Sequence, residues 1–481
     1  MSYQPSPSIL STPFGNLAPI VQDGLVQQTI KLSLQQNLLF GAEFDEDQEE
    51  WVNPIGQTIT QARSGPLPVK DEPSNPKEDP EYKIQKYEET LASISPYRDG
   101  IKFDMLENVV KLLGSFANDM NELGKNAANT LNAVRRKALF SGYLGGHAVA
   151  LATPGAPTTT MRVNCINGFK KQLNSDGKWL DTSSANMKPI QIGDATFALV
   201  TGVAADDPVN FPNGRGTLTL SANATWLIND AVVAMDAPYR IYQGGGVTND
   251  AIALGDKLTL DSIRQAIAIH ENNGIPRHRD GTWWVHLGPF SKPQLWADPE
   301  FQNVIRGAVE TTVFANYTLH KVMGCTFIEN NQMPNRANAG ALQNSRLSST
   351  VGKLSKGIYA EIVNTNGVEL AHTLVTGGGL GKTWYMPQKQ LASAAGLNAS
   401  EFYGMTVTAD NMSMVVDAMV RFLIAAPTDD MRQQVPANWQ FIGSFMLWND
   451  QYGGSYSPSN DPLVTRNPYY KRAVPITHSA A

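Results

Sequence analysis

Between positions 102 and 143, apolar residues recur at the three- and four-residue spacing of one helical face: Leu106, Val109, Val110, Leu113, Phe116, Met120, Leu123, Ala127, Leu131, Val134 and Ala138. No proline interrupts the run. A continuous helix of that extent spans about 60 Å, far beyond the usual length of about 11–12 residues. Gly114 and Gly124 can bend it or admit a close neighbour. The Leu144-Gly145-Gly146 sequence ends it, with either glycine suited to a left-handed cap.

The pattern is different on either side. Pro5, Pro7, Pro13 and Pro19 break any early helix, and a short helix is expected around 24–40. The acidic run from Glu43 to Glu50 leads to Trp51. Residues 1–60 therefore read as an extended arm with a few apolar anchors, which need a partner surface to bury them. Residues 62–90 carry Pro66, Pro68, Pro73, Pro76 and Pro80 among many charges, which excludes a helix and fits a long protruding hairpin. From 155 to 245 helical periodicity disappears. TMRVNCI, PIQIGD, ATFALVTGV, GRGTLTLS and DAVVAMDAPYRIY alternate with turn residues, as in a small barrel or sandwich of about 90 residues.

Beyond 245 the pattern is mixed. LTLDSIRQAIAIHENNG is an amphipathic helix bearing Leu260, Ile263, Ile267 and Ile269 and stopped by Asn272, Asn273 and Gly274. TWWVHLG reads as a buried strand, followed by a helix near 299–308 and strands at LHKVMG and CTFIEN. A polar loop at 331–350, a helix at 408–420, a late strand at FIGSFMLWND and a tail, YYKRAVPITHSAA, complete the expectation.

This order of parts resembles the Hong Kong 97-type coat fold of tailed bacteriophages. Local patterns are similar to podophage-type coat proteins: LDSIRQAIAIHENNGIPRHRDGTWWVHLGPFSKPQLWADPEF, HKVMGCTFIENNQMP, LVTGGGLGKTWYM and DDMRQQVPANWQFIGSFMLW. The positions that carry the resemblance are Gly281, Trp283, Trp284, Gly324, Phe327, Glu329, Asp430, Gln433 and Trp439. The resemblance covers roughly 60–480, and the β-rich stretch departs from it as an insertion. It implies an α+β fold with an N-terminal arm (1–60), an extended loop (61–95), a peripheral domain with a long spine helix (96–150), an inserted β-domain (151–245), an axial domain with remaining peripheral elements (246–430), and a C-terminal peripheral strand and tail (431–481). It implies a structural shell subunit forming hexamers and pentamers of itself around double-stranded DNA. The partners implied are a separate scaffolding protein, a portal protein at one vertex and in some cases a decoration protein. The location implied is the virion, after assembly in the bacterial cytoplasm.

Composition adds limits. The 481 residues are 42% apolar and 17% charged, with a formal charge of −6. That is ample material for several cores, without the basic footprint of a tight nucleic-acid binder. Cys165 and Cys325 form neither a disulfide framework nor a metal motif, and suit a reducing compartment. No signal pattern and no membrane-length apolar run is present. Residues 1–50 lack heptads, so a fused scaffold is not expected.

Candidate chemistry is sparse. TGGGLGKT at 376–383 has the Gly-Lys-Thr of a phosphate loop, but Thr376 stands where the first glycine belongs and no helix follows; a glycine-rich turn between strands is the alternative. His147, His270, His278, His286, His320, His372 and His478 are scattered without a zinc motif, and read as surface or capping groups. No nucleophile elbow appears. The pairs Glu49–Glu50, Glu88–Glu89 and Asp429–Asp430 are sequence neighbours that do not share a face. Arg135, Arg136 and Lys137 sit where cations complement a helix C-terminus, or where they could meet packaged DNA. Lys70, Lys77, Lys83 and Lys86 lie in or beside the hairpin without an identifiable cross-linking partner. No catalytic, cofactor or metal residue is assigned. The competing readings are a nanocompartment shell of the same fold and a soluble enzyme with a β-rich accessory domain.

Overall fold

The computed structural model describes residues 40, 44, 48–51, 58–63, 88–104, 114–174, 178–193, 196–209, 213–307, 321–334, 362–364, 366–386, 406–407, 411–415, 419–425, 434–448 and 470–481. In chain order it begins with β1 (Gln48–Glu50), β2 (Thr58–Arg63), β3 (Glu88–Ser93), β4 (Ser95–Asp104) and α1 (Gly114–Tyr143). Next come β5 (His147–Val149), β6 (Thr158–Val163), β7 (Lys171–Leu173), β8 (Trp179–Asp181), β9 (Lys188–Ile192), β10 (Thr196–Ala205), β11 (Gly216–Ala224) and β12 (Ala231–Ala234). Then follow β13 (Ile241–Tyr242), α2 (Leu260–Asn272), β14 (Trp283–Leu287), α3 (Ser291–Ala297), α4 (Pro299–Gly307), β15 (Lys321–Val322), β16 (Cys325–Glu329) and β17 (Leu370–Thr376). The chain closes with β18 (Gly381–Tyr385), β19 (Thr406–Val407), β20 (Asn411–Val415), β21 (Val420–Ala425), β22 (Gln434–Leu447) and β23 (Ala473–Ser479). The fold is α+β.

The chain divides into two compact units. The first combines 1–59, 91–135 and 382–446; the second combines 60–90, 136–381 and 447–481. In the first unit one sheet runs β1-β18-β22-β21-β20-β19, and β4 also pairs with β22. The β4–β22 ladder is antiparallel and continuous from Gln434↔Asp104 to Gly443↔Ser95. Residues of α1 lie on β22: Trp439 donates its indole N–H to Asn126 at 2.8 Å, and the Arg135 guanidinium sits 4.9 Å over the Phe445 ring. Met120, Leu123, Ala127, Ala128 and Leu131 form the buried stripe of α1.

In the second unit β5, β12, β9, β10, β11 and β6 form an antiparallel sheet in that order. Ala150 bridges Val163, with Asn164 donating to the Val149 carbonyl at 3.1 Å and Leu151 to that of Arg162 at 2.9 Å. These bonds close the sheet into a six-stranded barrel. Alternating residues fill it, among them Met161, Val163, Ile190, Ile192, Val200, Leu218, Leu220 and Val232. At one end Lys188, 1% exposed, meets Asp236 at 2.7 Å and donates to the Lys171 carbonyl at 2.8 Å. Burial pushes the Lys188 amine below the usual lysine range, and Asp236 partly offsets this.

The rest of the second unit is an α/β layer. Its sheet runs β13-β23-β17-β14-β16-β15, with β14 parallel to β16, β13 parallel to β23, and β17 antiparallel to both β14 and β23. Leu260, Ile263 and Ala266 of α2, Leu295 of α3 and Phe301 of α4 pack on Trp283, Val285, Leu287, Phe327, Val375, Val474 and Ile476. Asp298 fixes two helix starts. Its carboxylate accepts Leu260 N–H at 2.6 Å and Glu300 N–H at 3.0 Å. It is an N-cap followed by proline at the first helical position of α4.

Several expectations need correcting. The long helix was expected from 102, but 102–104 belong to β4; Leu106, Val109, Val110 and Leu113 lie outside the described residues. The helix keeps 30 residues, about 45 Å. The 408–420 stretch was expected to be helical, but Asn411–Val415 is a strand. Its register against β21, Met412↔Ile424 to Val415↔Arg421, makes it half of a hairpin, so strand pairing overrides the local helical pattern. The expected tail contains β23, buried along its whole length in the α/β sheet. The hairpin expected at 62–90 is described only at its base, where β2 pairs with β3; the proline-rich segment, Lys70, Lys77, Lys83 and Lys86 lie outside the described residues.

Replacing Lys188 with Met strands the Asp236 carboxylate in the barrel, which costs roughly 3–5 kcal/mol. The expected outcome is faster amide exchange throughout β9–β12 of the full chain, largely reversed by adding Asp236→Leu. Unchanged exchange in K188M would show that the pair does not hold the barrel.

Candidate functional site

The residues around the acidic run fold onto their own chain. Phe40 and Phe44 are fully buried, and the Phe44 ring meets Phe445 edge-on at 5.7 Å. The Phe44 carbonyl accepts the Thr383 hydroxyl at 3.1 Å. β1 pairs in parallel with Thr383–Tyr385, Trp51 N–H donates to the Tyr385 carbonyl, and Lys382 forms an ion pair with Glu49. The expectation that the arm's anchors require another molecule is therefore wrong for Phe40, Phe44 and residues 48–51. β18 offers an open strand edge that satisfies their backbone, and Phe445 a ring that covers Phe44. Residues 1–39, with the helix expected at 24–40, lie outside the described residues apart from Phe40.

The basic trio is not an exposed patch. Arg135 is 1% and Arg136 6% exposed. Arg136 donates to the Gln332 carbonyl at 2.8 Å, and burial pulls its guanidinium down to about 10. Burial also lowers the half-buried Lys137. The two arginines serve packing, which removes the reading in which they touch packaged DNA. Sequence reasoning placed three cations on a helix end; it could not see that the helix turns two of them inward.

Five histidines expected at the surface are buried in the α/β layer: His270, His278, His286, His372 and His478. His147 is half-buried, with Nε2 donating to the Pro238 carbonyl at 2.9 Å; His320 lies outside the described residues. His270 stacks on Trp283 at 5.0 Å with Nε2 3.1 Å from the Val375 carbonyl. His278 stacks on Trp284 at 3.8 Å and reaches Thr376 Oγ1 at 3.1 Å. His372 Nδ1 is 3.2 Å from Thr477 Oγ1. His478 Nδ1 faces the Ser479 carbonyl at 2.8 Å, so it carries the proton. Its Nε2 then accepts from Ser291 Oγ at 2.9 Å.

A serine bonded to a histidine that a third group orients has the form of an activated nucleophile. Here the third group is a backbone carbonyl, and Ser291 and His478 are both fully buried. No substrate can reach the hydroxyl, so the pair ties α3 to β23. The histidines supply polar contacts between strands that are covered along their length. Among the described residues no three His, Cys, Asp or Glu side chains gather as a metal-holding group, and no helix is long and apolar enough to cross a membrane. The Gly-Lys-Thr residues open strand β18, and the glycines before them make the turn from β17: Gly377 N–H donates to the Arg472 carbonyl and Gly378 N–H to that of Pro276. Gly379 has φ +68, and Lys382 is consumed by Glu49. A strand, where a phosphate loop has a helix N-terminus, follows the glycines.

No family model matches the chain, and no curated protein matches it. Among solved structures the chain is similar to the head structure of Helicobacter pylori bacteriophage KHP40, with TM-score 0.46 and 9% identity over 90% of this chain and 88% of that one. It is similar to the capsid of Ralstonia phage GP4, with TM-score 0.44 and 12% identity over 90% and 87%. It is likewise similar to the capsid asymmetric unit of cyanophage Pam1, with TM-score 0.45 and 10% identity over 89% and 86%. Likeness of this degree leaves the functional reading to the chain's own geometry.

The buried histidines set an acid limit. Burial, first among the causes, holds His270 down to about 4, against the Val375 carbonyl and with His278 repelling its charge. Burial likewise holds His478 to about 4, against the Ser479 carbonyl and with His372 adding repulsion. The unfolded chain binds these protons near 6.5, so folding stability is complete above that value, falls as pH drops toward about 4, and levels off below. Each histidine accounts for roughly 2–4 kcal/mol of that fall. Urea unfolding of the second unit, followed by amide exchange of β17 and β23 at pH 7 and pH 4.5, should show the loss. A smaller loss is expected in His478→Gln, and equal losses in both proteins would refute this origin.

Proposed function

We propose that the chain is the major coat protein of a tailed bacteriophage, a structural subunit that tiles an icosahedral head around double-stranded DNA. The observation that carries this reading is the way the first unit is assembled. A long strand near the C-terminus, β22, pairs with β4, a strand that leads directly from the base of a hairpin, and α1 lies along it. The barrel and α/β layer are spliced between these two halves. On this reading the first unit is the peripheral domain and α1 its spine. The α/β layer is the axial domain, the barrel an insertion, and β2–β3 the base of an extended loop.

The chemistry supports a container over a catalyst. The Ser291–His478 pair is sealed, the glycine turn leads into a strand and not a helix, and two cations that could have gripped DNA are buried in protein contacts. A net charge of −6 fits a wall that does not bind its contents tightly. Partners on this reading are further copies in hexamers and pentamers, a separate scaffolding protein, a portal at one vertex and, where present, a decoration protein. Assembly takes place in the host cytoplasm.

Co-expression with the other head proteins of its phage should yield closed shells visible by electron microscopy. Expression of the chain alone should give few or misshapen ones, because scaffolding is supplied separately. A homogeneous monomer under co-expression would overturn the reading, and uniform shells from the chain alone would overturn the separate scaffold.

A further inference from the structure

One edge of the α/β layer gathers cations around a bare turn. β17 runs antiparallel to both of its neighbours, and Thr376 at its end pairs with Trp284 of β14 and Ala473 of β23. The loop into β14, the glycines after β17 and the residues before β23 therefore share one rim. Gly378 N–H donates to the Pro276 carbonyl and Gly377 N–H to that of Arg472, each at 2.8 Å. Arg472 lies across the turn: its Nη1 donates to the Gly378 carbonyl at 2.8 Å, and a Cβ on Gly379 would sit 2.7 Å from it. Arg277 and Arg279 are exposed in the loop into β14; Lys471 is buried and is not part of the exposed rim. Two carboxylates are near. Asp280 accepts Thr282 Oγ1 at 2.7 Å, Trp284 Nε1 at 3.2 Å and Thr326 Oγ1 at 3.2 Å, which turns it toward β16, on the far side of β14. Glu271 meets Arg277 at 3.3 Å with both side chains more than half exposed, a geometry worth little in water.

We propose that this rim binds phosphate groups, and that in the assembled head it meets the backbone of the enclosed DNA; the second half rests on the coat-protein reading. A guanidinium is a planar fork that matches phosphate oxygens in pairs. Gly377, Gly378 and Gly379 place no side chain between Arg277 and Arg472, so a bulky tetrahedral group can approach the turn. Spacing favours a polymer. Adjacent strands lie about 4.8 Å apart, so the loops before β14 and β23 stand about 10 Å apart across β17. A DNA duplex carries about one charge per 1.7 Å, or about six over that length. A lone carboxylate or phosphate neutralises one end of such a rim; a duplex serves all three arginines. A contact of three cations has a salt slope of about −2.7, weak in one copy and summed over the copies of a shell. That suits a chain of net charge −6, which holds its contents without gripping them.

The test titrates the full chain against a short fluorescent DNA duplex of arbitrary sequence, by anisotropy, across a salt series. The Arg277→Gln/Arg279→Gln variant spares Arg472, which holds the turn, and is checked for unchanged amide exchange in β14 and β17. Binding should weaken about tenfold at low salt, and the salt slope should shrink by about 2. Should the double variant lose exchange protection, Arg279→Gln alone should shrink the slope by about 1. Equal affinities and slopes would overturn the site. Inorganic phosphate is the second probe. At matched phosphate concentration it should displace the duplex only weakly; full displacement would make this a free-phosphate site and overturn the DNA half. In DNA-filled heads, ultraviolet adducts should map to peptides of 275–282, and their absence would overturn that half too. Heads that form in either case leave the coat reading standing. Failure of the unmodified chain to form any shell would overturn the coat reading and the DNA half with it, while the duplex titration still decides the phosphate site.

Discussion

The first unit depends on one ladder. β22 must find β4 across more than three hundred positions of sequence, and nothing local draws the two together. What secures the match is shape at the ladder's centre. Gly100 faces Asn438 so closely that a Cβ on the glycine would lie 1.8 Å from Asn438 Oδ1. The next residue, Trp439, is buried and bonded to Asn126 of α1. A slip of one position would turn Trp439 to the other face and set a larger side chain against Asn438. Pairing at such separation is costly in chain entropy and slow to form. The barrel, built from nearer neighbours, can gain its core without waiting for it.

Those nearer neighbours are also what the sequence disclosed best. Each β-like run expected between 155 and 245 contains a barrel strand, because alternation of apolar and polar residues is a local signal that survives without knowledge of partners. The α2 helix ends at Asn272, followed by Gly274 at φ +64, as its Asn-Asn-Gly sequence predicts. Failures fell where a pairing partner, near or far, decides the outcome. Asn411–Val415 is a strand because β21 lies beside it. β23 looked like a tail because its apolar start, Ala473–Ile476, is short and runs into Thr477, His478 and Ser479; insertion between β13 and β17 makes it a core strand. The histidines were misplaced for the same reason. His270 and Trp283 are thirteen positions apart, and no spacing rule reports that their rings stack.

The arm teaches a related lesson. Sequence reading recognised Trp51 as an anchor but assigned the anchors to a neighbouring molecule. β18 has an open side, and β1 fills it over three residues. The fill is brief and acidic: Glu49 and Glu50 are exposed on what becomes the new edge. A short, charged edge strand resists pairing with other chains, so the same residues that tie the arm down also blunt the sheet.

On the coat-protein reading, that restraint bears on how the subunit avoids aggregation until it assembles. A molecule made in many copies must expose contacts that join it to others, yet not so strongly that it aggregates before nucleation. Here the second unit's barrel has no open edge, and the first unit's sheet ends on one side in a three-residue acidic strand. Neither presents a strong edge for pairing in solution. On the coat-protein reading, closure of a lattice supplies the local concentration that makes weak contacts add. A single strong hydrophobic contact would form outside the lattice as readily as within it, and would lose the difference between free and assembled states on which ordered growth depends.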